Sequence, residues 1–137
     1  MDAFQVGTKA QAQAVDITRQ VDSHVSAAAI EEGAVLVYCP HTTAGIYNNE
    51  GHDPDVARDV MAHLEKLVPR DGPYRHMEGN SAAHIRSILT GNGVLVPVSG
   101  GRIALGTWQR IFLAEFDGPR TRNVQLHYLS GGGNRVG

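Results

Sequence analysis

The sequence predicts an α+β fold: antiparallel β-sheets packed sandwich-fashion, with two or three helices, in a single compact domain. Three observations carry this expectation. Sixteen glycines fall mostly between short apolar runs, which favours many strands joined by tight turns. Stretches after Thr18, Asp53 and Asn80 each begin with a capping residue and continue with apolar residues at helical spacing. A chain of 137 residues, 42% apolar and 19% charged, suits one core and is too apolar to stay disordered.

The elements follow in order. Phe4 to Thr8 alternates apolar and polar side chains, the period of a half-buried strand, and Gln11 to Ile17 alternates again. The two are expected to pair as a hairpin. Thr18 is expected to cap a helix bearing Val21, Val25 and Ala28, with Gly33 as the residue that ends it. The run GAVLVYCP is apolar on both alternating sets, so it reads as a strand covered on both faces and ended by Pro40. The segment HTTAGIYNNEGHDP opens on His41, and its cluster Asn48–Asn49–Glu50–Gly51 reads as a closing turn.

Asp53 and Pro54 form a strong helix start, because the carboxylate can accept backbone N–H groups and proline loses no hydrogen bond at the first position. Val56, Val60, Leu64 and Leu67 make one apolar stripe, and Pro69 stops it. A turn at Asp71–Gly72–Pro73 leads to a short helix over Ser81 to Thr90, capped by Asn80, with Ile85, Ile88 and Leu89 turned to the core and Gly91 at its end. Val94 to Val98 is an edge or bulged strand because of Pro97. Ile103 to Phe116 reads as one long strand with a bulge at Gly106, and the run from Asn123 to Leu129 as a half-exposed strand after the turn DGPRTR. The domain is expected to span residues 1–130, with the last seven residues as a flexible tail.

Composition narrows the function. A formal net charge of −2 gives no electrostatic case for nucleic acid or a membrane surface. No stretch approaches the roughly 20 apolar residues of a membrane span. The single cysteine, Cys39, lies in an apolar run, which favours an inert core thiol and a reducing, cytoplasmic setting. No GxSxG, P-loop, GxGxxG or HExxH pattern is present.

The stretch RHMEGNSAAHIR, from Arg75 to Arg86, places His76 in a loop and His84 in the first turn of a helix. His41 opens HTTAG at the end of a buried run. All three sit at element ends, where functional side chains concentrate on a rigid scaffold. Three imidazoles with an open position suit a catalytic divalent metal, zinc by ligand type, although the spacing is no standard zinc signature. An anion site, or plain histidines bonded to backbone carbonyls, reads the same spacing equally. His24, His63 and His127 lie on polar faces and His52 beside the Asp53 cap. For anion recognition, Arg102, Arg120 and Arg122 offer guanidinium forks; Thr42, Thr43, Asn80 and Ser81 offer hydroxyl, amide and backbone donors. Glu50 and Glu78 are candidate bases or partners that orient a histidine.

The segments HTT, NNEGHDP, YRHMEGN, AHIR, GRIALGTWQ and GPRTR occur in one order over about Phe4 to Leu129. In this the chain resembles the YjbQ-like family, which is associated with a secondary thiamine-phosphate synthase activity. The resemblance implies a compact α+β subunit, a homotrimer, and a pocket holding His41, His76 and His84. Its pattern also covers Asn49, Glu50, Asp53, Asn80, Arg102, Gln109 and Arg122. The reading for test is a zinc- or other metal-dependent enzyme on a small phosphorylated substrate. His41, His76 and His84 would be the metal ligands, Glu50, Asn49 and Asp53 the catalytic groups, and Thr42, Thr43, Asn80, Arg102, Gln109 and Arg122 the substrate-binding groups. The alternative is a non-catalytic trimer that binds a metal or a small anion. A trimer also has a physical reason: a strand apolar on both faces, such as Ala34 to Cys39, needs more cover than few helices supply.

Overall fold

A computed structural model of the chain describes residues 1–131. The tail expected over 131–137 lies, past Gly131, outside the described residues. The elements are β1 (Asp2–Gly7), β2 (Gln13–Asp16), α1 (Thr18–Ala28), β3 (Glu32–Tyr38), β4 (Ala44–Glu50), α2 (Pro54–Leu67), α3 (Ser81–Thr90), β5 (Gly93–Ser99), β6 (Arg102–Ile103), β7 (Gln109–Glu115) and β8 (Thr121–Ser130). They form two antiparallel sheets, one ordered β1-β8-β3-β5-β6 and the other β2-β7-β4. Val35, Val37, Val96, Val98, Val124 and Leu126 of the larger sheet meet Ile46, Ile111 and Leu113 of the smaller one in a single core, which Val21 and Val25 of α1 join. The α+β sandwich with three helices is therefore the fold.

Several local expectations change. β1 and β2 do not form a hairpin; β1 pairs with β8 and β2 with β7, in different sheets. The Thr18 hydroxyl does not cap α1; it accepts the Ile111 N–H at 2.8 Å, which ties the helix start to β7. α1 ends at Ala29 in the left-handed region, at φ 57°, and Gly33 lies inside β3. The segment after His41 contains β4, whose Ala44, Gly45 and Ile46 are buried against β7, and Asn48, Asn49 and Glu50, expected in a turn, are its last three strand residues. The long strand from Ile103 is broken instead of bulged: β6 belongs to the larger sheet and β7 to the smaller, so residues 104–108 carry the chain between sheets.

Asp53 and Pro54 start α2 as the sequence says, with the Asp53 carboxylate accepting the Asp55 N–H at 3.0 Å. α3 has the expected bounds but the opposite orientation. Ala82, Ala83, Arg86 and Ser87 are buried, whereas Ile88 is 79% and Leu89 54% exposed. The reason is the closeness of β4. A Cβ on Gly45 would stand 2.6 Å from the Gly91 carbonyl oxygen, so only small side chains fit between the two elements. The Ser87 hydroxyl donates to the Ala44 carbonyl at 2.6 Å, and the Ile46 N–H to the Gly91 carbonyl at 3.0 Å. Among the described residues no helix is long and apolar enough to cross a membrane.

Candidate functional site

The site is built on a buried ion pair. β7 carries Ile111–Glu115 through the core, and Glu115 sits there at 0% exposure. β8 brings Arg122, at 2% exposure, beside it. Arg122 Nε donates to Glu115 Oε1 at 2.9 Å, and Nη2 donates to Glu115 Oε2. The same Nη2 donates to the Thr43 carbonyl at 3.1 Å and to Thr43 Oγ1 at 2.8 Å. Glu115 also accepts from the Thr8 hydroxyl at 2.7 Å and the Asp117 N–H at 3.0 Å. Burial raises its carboxyl pKa, but the bonds from Arg122, Asp117 and Thr8 outweigh burial and hold it below the usual range.

Above this pair lies the turn Pro40–Thr43, which joins β3 to β4. Asn123, next after Arg122, donates its N–H to His41 Nε2 at 2.8 Å. His84, one turn into α3, lies against the carbonyl of Thr42, and its Nδ1–H donates there at 3.1 Å. His41, Thr42, His84, Ser87, Ile88, Gly91 and Asn92 line a cleft of about 430 Å³. The His76 ring stands edge-on to His84, centroids 5.4 Å apart, with His76 Nε2 3.8 Å from Glu78 Oε2. Burial, and then the charge of Arg122, holds the His41 pKa below its ordinary value, so this ring is neutral near pH 7. A larger groove of about 590 Å³, between α2 and the smaller sheet, is lined by no histidine.

The three histidines differ in what each could give a metal ion. The Nδ1–H bond of His84 leaves the Nε2 lone pair free, the arrangement by which an outer acceptor orients a metal-binding histidine. Two imidazoles on one tetrahedral zinc have ring centres about 5 Å apart, which matches the His76–His84 pair. His41 does not fit in the same way. Its Nε2 lone pair is taken by the Asn123 N–H, so in the neutral ring the proton is on Nδ1 and no lone pair is left. Among the described residues no three His, Cys, Asp or Glu side chains are grouped to hold an ion. One subunit thus brings His76 beside His84, whose Nε2 lone pair is free, and places the His41 ring in the same cleft as His84.

The remaining sequence candidates fall in other places. Thr42 and Thr43 belong to the turn just described, and Arg122 lies beneath it, engaged with Glu115 and Thr43. Asn80 starts α3 without a side-chain cap; its Nδ2 donates to Asp117 Oδ2 at 3.0 Å. Asn49, Glu50, Asp53 and Gln109 gather at the opposite end of β4, about 20 Å from Ala44 by strand length. There Glu50 accepts the N–H groups of His52 and Asp53, and Gln109 accepts that of Gly106. Arg102 is at a third place, donating to Asp22 of α1 at 2.9 Å. Cys39 is buried, and burial pushes its thiol pKa up, as an inert core thiol requires.

Sequence reading missed Glu115, Asn123 and Ser87. Glu115 left one visible signal, a carboxylate among the five apolar residues of Ile111–Phe116, which must find a cation. Asn123 and the Thr42 carbonyl act through the backbone, so no side-chain pattern shows them.

Comparison with known proteins agrees with the fold. The sequence model of the UPF0047 protein YjbQ-like family matches residues 2–131. The chain is 46% identical over 130 residues to the UPF0047 protein YugU of Bacillus subtilis, covering 94% of this chain and 98% of that one. It is 44% identical over 126 residues to a UPF0047 protein of Methanocaldococcus jannaschii, covering 92% and 91%. A crystal structure of a YjbQ/UPF0047 protein from Clostridium acetobutylicum superposes with a TM-score of 0.92 at 43% identity, covering 94% of this chain and all of that one. With the family model matching from β1 to the end of β8, this chain belongs to the YjbQ-like UPF0047 family.

Proposed function

We propose that the protein is a metal-dependent enzyme acting on a small phosphorylated substrate in the histidine cleft, and that it works as a homotrimer. One observation carries the reading: the 3.1 Å bond from His84 Nδ1–H to the Thr42 carbonyl, which leaves Nε2 as a lone pair beside His76. His76 and His84 would hold the ion, zinc by ligand type. His41 joins them as a third ligand only by exchanging its Asn123 N–H partner for the ion. A bound divalent ion would supply Lewis-acid stabilisation of phosphate charge. His41 Nδ1–H and the Thr42 hydroxyl supply hydrogen-bond donors to a phosphate oxygen, and Arg122 below adds positive field to the same wall. The joining of a pyrimidine pyrophosphate to a thiazole phosphate, the activity associated with the resemblance, is the first reaction to assay.

The trimer reading is supported by apolar surface. Beside Ile88 and Leu89 of α3, Leu95 of β5 is 65% exposed and Leu129 of β8 52%. The outer face of the larger sheet also carries Leu36, paired with Leu95.

One observation favours a second reading, a non-catalytic trimer that binds a metal or a small anion. No carboxylate lines the cleft among the described residues, and Glu50 and Asp53 are engaged in the turn at the far end of β4. Turnover of a panel of phosphate esters and pyrophosphates, with and without added zinc, tests the two readings. The enzyme reading expects turnover that falls at least about 100-fold in His84→Ala, the scale of a lost metal or acid–base group. Binding without turnover across the panel selects the second.

A further inference from the structure

We propose that the buried Glu115–Arg122 pair is a tautomer lock for the histidine cleft, and that Glu115 is its positioning residue. The inference deepens the reading of His84 as a lone-pair donor and rests on it.

Both cleft histidines are held in one neutral tautomer by groups of fixed polarity. A carbonyl only accepts, so His84 must carry its proton on Nδ1 to bond Thr42. A backbone N–H only donates, so His41 must leave Nε2 bare to bond Asn123, and its proton is also on Nδ1. Free histidine prefers the other neutral form, with the proton on Nε2. Each ring is therefore held against its own preference by a backbone group.

Arg122 touches the chain segments that supply both groups. Its Nη2 grips Thr43 at the carbonyl and at Oγ1, one peptide from the Thr42 carbonyl. The Phe116 N–H bonds the same Thr43 carbonyl at 3.1 Å, so that peptide is held from two sides. On its other flank, Arg122 precedes Asn123, whose N–H meets His41. Glu115 fixes the guanidinium, and the Thr8 hydroxyl and Asp117 N–H fix Glu115 in turn. An apolar pair of equal volume would fill this space and would often stabilise the fold equally well or better. Such a pair could not grip the Thr43 hydroxyl or carbonyl. The charges thus have a positional role that packing alone does not provide.

The test is the proton position on each ring, read by long-range ¹H–¹⁵N correlation in the chelator-treated full chain at about pH 8, above the ordinary histidine range. In the native protein both His41 and His84 carry the proton on Nδ1. In Glu115→Gln/Arg122→Met, which leaves no lone buried charge, the main form of both rings moves to Nε2–H. Thr43→Val removes only the hydroxyl that Arg122 grips, and serves if the double variant does not fold; there the His84 proton moves toward Nε2. Retention of the Nδ1–H form in the folded double variant, or at His84 in Thr43→Val, overturns the proposal. So does an Nε2–H form of either ring in the native protein. None of these readouts uses metal or turnover, so a native protein that takes up no metal would overturn the metal reading and leave the lock standing.

Discussion

Glu115→Ala is the sharpest stability test of the buried network. It leaves the Arg122 guanidinium at 2% exposure with no counter-charge. It also removes the acceptor of the Thr8 hydroxyl and of the Asp117 N–H. Breaking one partner from a buried pair costs about 3–5 kcal/mol. At an unfolding entropy of about 2 cal/mol/K per residue, a chain of this length loses about 3–4 °C of Tm per kcal/mol, so the midpoint falls about 10–20 °C. Calorimetry and urea unfolding measure both quantities. Glu115→Gln/Arg122→Met should recover most of the loss, since it removes both charges together. The pH dependence has a defined sign. The folded Glu115 pKa lies below its unfolded value, so its contribution is complete above about pH 4.3 and is lost as pH falls through the folded value. A Glu115→Ala protein within about 1 kcal/mol of the native one would refute the reasoning, because no buried charge then depends on the pair.

Three further outcomes are expected. Gly45→Ala places a Cβ 2.6 Å from the Gly91 carbonyl and 3.0 Å from Thr90 Cγ2, and should lower stability by about 1–3 kcal/mol; an unchanged urea midpoint contradicts the close approach of β4 to α3. The folded His41 pKa lies below its unfolded value near 6.5, so the unfolded chain binds more protons and stability falls as pH drops from about 6.5 toward the folded value; His41→Gln should lose that part of the slope in pH-resolved melting. Ile88→Asp is neutral for an isolated subunit, where the side chain is 79% exposed, but should dissociate a trimer in sedimentation velocity; a trimer that survives the change places the interface elsewhere.

The sequence showed most of what local chemistry determines. The Asp53–Pro54 start of α2 and the bounds of α3 were readable because cap and proline preferences act within one turn. β4 was hidden because Asn48, Asn49 and Glu50 look like turn residues, and only pairing with β7 makes the segment a strand. The division of residues 103–116 between two sheets is a long-range choice that leaves no period to read. The apolar residues of α3 point to the wrong face, because contact with Gly45 selects the small residues for the buried side. His76 and His84 were legible as a pair from one short segment. The grouping of Asn49, Glu50 and Gln109 away from them follows from strand direction, which spacing in the chain does not reveal.

Metal content of the purified full chain, measured by inductively coupled plasma mass spectrometry beside His84→Ala and His76→Ala, tests the central claim most directly. The account predicts about one zinc or other divalent ion per chain, lost in both variants, because His84 Nε2 is the free lone pair beside His76. No metal in the native protein, with none taken up on addition of zinc, would contradict it and leave the cleft as an anion-binding site.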